Sequence, residues 1–251
     1  MSATTRAHHY VVIPAFNEAR RLPGFLKALG DALSVSGLRT TVQVVDDGST
    51  SLERDAMARA VESVRLNHVF VLPLVSLPSN CGKGAAIRSG WSVAPPEADW
   101  LCFVDADGAI SPSEVTRVLM EIDAGMPVDA WFSSRICMLG RKIERSWSRH
   151  VVGRAFASMV GVWIDGDVYD SQCGFKGVRA SAWAGIQGKM CEDGFAFDVE
   201  LLAALRERRA DVRELPIDWA DQAGSKVSVL RDGWRMACAV RRIRRRFALS
   251  G

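Results

Sequence analysis

An α/β fold, with a mostly parallel sheet flanked by helices, is predicted by three features of the sequence. Short apolar runs of strand type alternate four times with helical patterns, the order of successive βα units. The runs at Tyr10-Val11-Val12-Ile13 and Leu101-Cys102-Phe103-Val104 are continuous rather than alternating, as strands covered on both faces require. Three runs stop abruptly in polar loops, at residues 14–18, 46–50 and 105–107, where open α/β sheets bind ligands at strand carboxyl ends.

In order, the first strand ends at Pro14, and residues 20–33 predict a helix with Leu22, Phe25, Leu26, Leu29 and Leu33 on one face. A strand at 41–45, a helix at 53–64, a strand at 68–74, a helix at 85–93 and a strand at 99–104 follow. Ser111-Pro112 reads as a cap with proline in the first turn, opening a helix to about 124. A strand is expected at 128–132, and then the alternation breaks down. Residues 141–164 mix Arg141, Lys142, Arg145, Arg149 and Arg154 with apolar residues three and four apart, the pattern of one or two basic amphipathic helices. A helix at 195–208 and a strand at 212–219 come next. Residues 234–247 place Met236, Val240, Ile243 and Phe247 on one helical face among arginines. The expected organisation is a disordered N-terminus at 1–9, one domain at 10–230, and a basic amphipathic helix at 231–251.

The 251 residues, 48% hydrophobic and 24% charged, suffice for one sizeable domain. A net charge of +3, without interleaved aromatic and basic residues organised for bases, argues against a nucleic-acid partner. Six cysteines without a CxxC pair suggest neither a zinc site nor a disulfide framework, so reduced thiols in the cytoplasm are expected. The start of the chain lacks a signal peptide's apolar core, and no stretch reaches the roughly 20 apolar residues of a spanning helix. A soluble or peripheral protein is therefore expected.

The chemistry centres on Asp105-Ala106-Asp107-Gly108. Residues i and i+2 of an extended segment point the same way, so the two carboxylates can meet at one hard cation such as Mg²⁺. Taken alone, an ordinary Asp-Gly turn explains the pattern equally well. Asp46-Asp47 can hold a ribose or a base, or form an Asx turn with Gly48. Asn80-Cys81-Gly82-Lys83-Gly84 lacks the length and hydroxyl of a Walker loop. Arg135, Arg145, Arg149 and Lys226 are candidate anion ligands or solvated surface.

Together, Val11 to Glu18, Val44 to Thr50, Asn80 to Gly84, Asp105 to Ala109, Ser134-Arg135, Cys173-Gly174-Phe175-Lys176 and Phe195 to Leu202 resemble the ordered motifs of family 2 glycosyltransferases of the GT-A (Rossmann-like) fold. Within that family the chain looks most like the polyprenyl-phosphate sugar transferases, closest to the dolichyl-phosphate β-glucosyltransferase branch. The branch is suggested by the motifs at 173–176 and 195–202 and by Gly224-Ser225-Lys226.

The resemblance implies that Pro14, Ala15, Asn17, Glu18 and Ala106 line a nucleotide-sugar pocket, with Asp46 on the nucleoside and Lys83 near the base or ribose. Asp105 and Asp107 would hold Mg²⁺ or Mn²⁺ against the diphosphate of a UDP- or GDP-sugar. Ala109 stands where mannosyl relatives often carry a further metal-binding Gln, which favours a glucosyl enzyme. A clamp of two side chains should also bind metal weakly alone and tightly with nucleotide. The implied catalytic set is Asp107, Arg135, Arg149, Asp193 and Lys226. The three cations would position a polyprenyl or dolichyl phosphate, whereas a soluble or peptide-borne hydroxyl acceptor would use Asp193 as base. A non-catalytic nucleotide-sugar-binding subunit is the third reading. Branch members carry membrane anchors not found in this sequence, so the basic segments at 141–164 and 234–247 are expected to meet a membrane surface, or else to pack on protein.

Overall fold

The computed structural model describes residues 6–136, 138, 140–144, 168–222 and 229–247, by backbone alone at 144 and 229–235. In chain order the elements are β1 (His8–Ala15), α1 (Leu22–Ser36), β2 (Arg39–Asp46), α2 (Ser51–Arg65), β3 (Val75–Ser76), α3 (Lys83–Ser92), β4 (Trp100–Val104), α4 (Pro112–Asp123) and β5 (Ala130–Ser134). Then come β6 (Ile143–Glu144), β7 (Phe175–Arg179), α5 (Ala180–Ile186), α6 (Phe197–Glu207), β8 (Val212–Pro216), β9 (Trp219–Ala220) and α7 (Val229–Arg246). The main sheet has the order β3-β2-β1-β4-β7-β5-β8. All its pairings are parallel except those of β7, which runs antiparallel between β4 and β5.

Strand alternation splits the apolar residues into one core on each sheet face. Tyr10, Val12, Leu101 and Phe103 point to one side, packing under α3, α5, α6 and α7. Val11, Ile13, Cys102 and Val104 point to the other, under α1, α2 and α4. Covering on both faces explains why these runs read as continuously apolar.

The structure differs from the expectations in four places. The strand expected at 68–74 pairs with β2 only at Val71 and again at Val75–Ser76. Pro73 interrupts the ladder because it has no N–H, and its carbonyl accepts from the Gln43 side chain at 2.6 Å. β1 starts at His8, inside the stretch expected to be disordered. β7 went unread because Lys176 and Gly177 break its apolar run. A Cβ at residue 177 would sit 2.5 Å from the Trp131 indole, so glycine is what lets that ring pack on the strand. Finally, the basic tail helix does not keep its apolar side for a membrane. Ala239, Val240, Ile243 and Phe247 are buried in the domain's core beside α6. Most of the basic segment at 141–164 lies outside the described residues. Among the described residues no helix is long and apolar enough to cross a membrane.

Candidate active site

A cleft of about 1200 Å³ opens at the carboxyl ends of β1, β2 and β4. Its walls come from the loops after these strands, the loop before α3, residues 191–196 ahead of α6, and one side of α7. Of the residues singled out in the sequence, Pro14, Ala15, Glu18, Lys83, Asp105, Ala106, Asp107 and Asp193 line it.

Asp105 follows the last residue of β4, and its N–H donates to the Gly174 carbonyl at 2.9 Å. A Cβ at residue 174 would lie 1.9 Å from Asp105 Oδ2, so only glycine leaves that carboxylate its place. Gly174→Ala should therefore fold with a loss of about 1–3 kcal/mol, the usual range for overpacking, and lose most of its donor turnover. Thermal melts and nucleoside diphosphate release check both, and full activity in the variant would contradict this role. Asp107 Oδ1 accepts from the Ala109 N–H at 3.0 Å. Burial first, then the neighbouring Asp105 charge, push the Asp107 carboxyl above the usual range. Two carboxylates on one cleft wall, one of them ionising reluctantly, offer hard oxygen donors whose charge a divalent cation would relieve. Among the described residues no third His, Cys, Asp or Glu completes a three-residue metal cluster. The fit is to a shared ion, with the remaining ligands from water or substrate.

Lys83 opens α3 and sets Nζ 2.7 Å from Asp105 Oδ1. Burial alone would discharge it, but Asp105 and Asp198 outweigh burial and raise its pKa. The flanking glycines have a packing role. A Cβ at Gly82 would come within 2.5 Å of the Asp193 carbonyl, and one at Gly84 within 2.5 Å of that of Glu192. They let the 80–84 loop seat against the 191–194 loop.

Five implied residues stand elsewhere or beyond view. Asn17, with φ 52°, accepts from the Thr50 N–H at 3.1 Å, and its own N–H donates to Ser49 Oγ at 2.7 Å. It ties two strand-end loops together rather than facing the cleft. Asp46 is fully buried and caps the turn through the Ser49 N–H at 3.0 Å. Its neighbour Asp47 lines the cleft instead and accepts from the Cys81 and Gly82 N–H groups, both at 2.8 Å. Among the described residues that line the cleft Arg135 does not figure; it grips Asp170 through Nε–Oδ2 at 2.6 Å and Nη2–Oδ1 at 2.8 Å. Arg149 and Lys226 lie outside the described residues.

Burial opposes the Asp170 charge, but Arg135 outweighs it and holds the carboxyl down to about 2. The unfolded chain, with an Asp pKa near 3.9, takes up the proton first as pH falls. The pair's contribution of about 2 kcal/mol is thus complete above pH ~4 and lost between ~4 and ~2. Acid unfolding of Asp170→Asn should lack this component; an unchanged pH profile would contradict it.

Sequence reasoning gave Asp198 and Glu200 no individual role, and Arg242 and Arg246 only a place in the basic tail. Glu200, fully buried, accepts from the Cys191 and Glu192 N–H groups at 2.9 and 2.8 Å and from Arg246 Nη1 at 2.6 Å. Arg242 Nη2 donates to Glu192 Oε2 at 2.9 Å. These contacts fasten α7 along the cleft. The available signal was a pair of carboxylates, Asp198 and Glu200, in the first turn of a helix that continues as the apolar run at 201–205.

Fold and cleft together define a nucleotide-sugar glycosyltransferase of the GT-A type. The chain belongs to glycosyl transferase family 2, whose family model matches residues 10–183. It is 30% identical to dolichyl-phosphate beta-glucosyltransferase of Saccharomyces cerevisiae over 244 residues, 90% of this chain and 71% of the relative. The enzyme of that name in Dictyostelium discoideum is 28% identical over 252 residues, 95% of this chain and 74% of the relative. The crystal structure of glucosyl-3-phosphoglycerate synthase from Mycobacterium tuberculosis with Mn²⁺, UDP-glucose and phosphoglyceric acid superposes with a TM-score of 0.70. At 18% identity, covering 98% of this chain and 82% of that one, it shares the fold.

Proposed function

We propose that the protein transfers a hexose, glucose in the first instance, from a nucleoside diphosphate sugar to a polyprenyl or dolichyl phosphate, with inversion at the anomeric carbon. The observation that carries this reading is the Asp105–Asp107 pair at the end of β4, facing the same cleft as Lys83. Similarity to two dolichyl-phosphate beta-glucosyltransferases supports the donor and acceptor classes. Ala109, in place of the Gln of mannosyl relatives, supports glucose.

Asp105 and Asp107 would hold Mg²⁺ or Mn²⁺, which supplies Lewis-acid stabilisation for the charge on a departing diphosphate. Lys83 adds a buried cation beside them. Pro14, Ala15 and Asp47 bound the half of the cleft that suits the nucleoside. A phosphate acceptor is already anionic at neutral pH, so direct displacement needs cations that position it and no general base. Arg149 and Lys226 are the residues proposed for that task. Arg135, locked to Asp170, acts by holding the end of β5. The lipid half of the acceptor would bring the protein to the cytoplasmic face of a membrane. Attachment there would be electrostatic, through arginines such as the exposed Arg241 and Arg245.

A hydroxyl acceptor is the second reading, because Asp193 lines the cleft where a base would stand. Its carboxylate, however, is engaged by Arg88 Nη2. The two readings part on a pair of variants assayed with a lipid phosphate. The phosphate reading expects Asp193→Asn to keep turnover and Arg149→Ala to lose it; the reverse pattern sinks it.

A further inference from the structure

Four side chains of alternating charge run from the core to the cleft. Lys176, fully buried on β7, places Nζ 2.8 Å from Asp198 Oδ1 and also donates to the Cys173 carbonyl. Asp198 Oδ2 lies 3.8 Å from Lys83 Nζ, which in turn is 2.7 Å from Asp105 Oδ1. Lys83 therefore has two carboxylates within reach. Asp198 is buried and already shared with Lys176, whereas Asp105 is 39% exposed and faces the cleft. The ammonium also sits 5.0 Å from the centre of the Phe103 ring, which lets it stay charged away from water.

This arrangement bears on metal binding. Two carboxylates offer a dication a charge of −2, but an ammonium on Asp105 cuts that to −1 and occupies one of the four oxygens. Its own charge also repels an incoming ion a few ångströms away. A diphosphate changes the balance, because its oxygens offer the ammonium a second anion and the metal further ligands.

We infer that Lys83 is a placeholder cation: in the ligand-free protein it neutralises Asp105 and keeps a divalent ion weakly held, and a nucleoside diphosphate draws it off that carboxylate, so that nucleotide and metal bind as a coupled pair. Asp198, fixed by Lys176, is the positioning residue that keeps the displaced ammonium within the site. This inference rests on the reading of Asp105 and Asp107 as metal ligands. It adds an origin for the coupling that a two-armed clamp alone does not supply. By linkage, metal must strengthen nucleotide binding by the same factor as nucleotide strengthens metal binding.

The test is Mn²⁺ binding followed by the electron paramagnetic resonance of the free ion, with and without UDP or GDP. It is run on the unsubstituted parent protein, Lys83→Gln and Lys83→Arg, each checked for folding by thermal melt. Lys83→Gln is expected to bind Mn²⁺ alone about tenfold more tightly than the parent, a gain of about 1.4 kcal/mol. It should also lose most of the nucleotide's enhancement. Lys83→Arg, which keeps the charge, should stay weak for Mn²⁺ alone. Unchanged or weaker binding of Mn²⁺ alone by folded Lys83→Gln overturns the placeholder and leaves the metal reading standing. No Mn²⁺ binding by the parent with either nucleotide overturns the metal reading, and the placeholder with it.

Discussion

Asp107→Asn is expected to lower sugar transfer about a thousandfold, or about 4 kcal/mol of transition-state stabilisation, while leaving the melting temperature unchanged or slightly higher. Both halves follow from the same geometry. The carboxylate is one of two that line the cleft at the end of β4, so removing it would halve the side-chain donors offered to a divalent ion. Its pKa is raised by burial and then by Asp105, so in the folded protein its charge is held at some expense. An uncharged isostere relieves that strain, the usual trade between a functional site and stability. Parallel turnover and melting curves test this. A variant that loses stability in step with activity would make Asp107 a structural residue.

Asp198→Ala should destabilise the fold by about 3–5 kcal/mol. It would leave Lys176 charged with no exposure to water and take away one of the two carboxylates near Lys83. The expected partner result is specific. Lys176→Met combined with Asp198→Leu should recover most of that stability, because a buried ion pair replaced by apolar groups of similar volume is often neutral or better. Denaturant melts of the two variants decide it. A double variant no more stable than Asp198→Ala would mean that the site depends on local packing rather than on charge pairing. The recovered fold should still transfer sugar poorly, since Lys83 then has no second carboxylate.

The strand-end loops were legible because the strands feeding them are buried on both faces and written as unbroken apolar runs. β1 and β4 carry their polar ends within a residue or two of the expected place. Asp105 and Asp107 could be singled out for the same reason, whereas Lys83 stood out through its glycine-flanked loop at a helix start and through the family resemblance. The sequence reading put Asp46 on the nucleoside, but which of Asp46 and Asp47 reaches the cleft depends on the strand's register: one residue's shift exchanges cleft for core. Asp46 pairs opposite Ala15 and points inward, which leaves Asp47 to hold the 80–82 loop. Arg135 was read as a phosphate ligand because its partner Asp170 lies 35 residues away, beyond any local pattern. β7 was hidden by a lysine that only the fold supplies with a carboxylate. The tail's amphipathic pattern was read correctly as a helix, but a periodic apolar face does not say whether lipid or protein covers it.

We propose that this cleft uses a divalent ion, held by Asp105 and Asp107, to move a sugar from a nucleotide to a lipid phosphate. The most direct measurement incubates the purified protein with UDP-glucose or GDP-mannose and a polyprenyl phosphate, with Mn²⁺ or with EDTA, and weighs the lipid product by mass spectrometry. The expected result is one hexose added to the lipid phosphate, from UDP-glucose in preference, with Mn²⁺ and not with EDTA. Equal product in EDTA, or no lipid product from either donor with metal present, would contradict it.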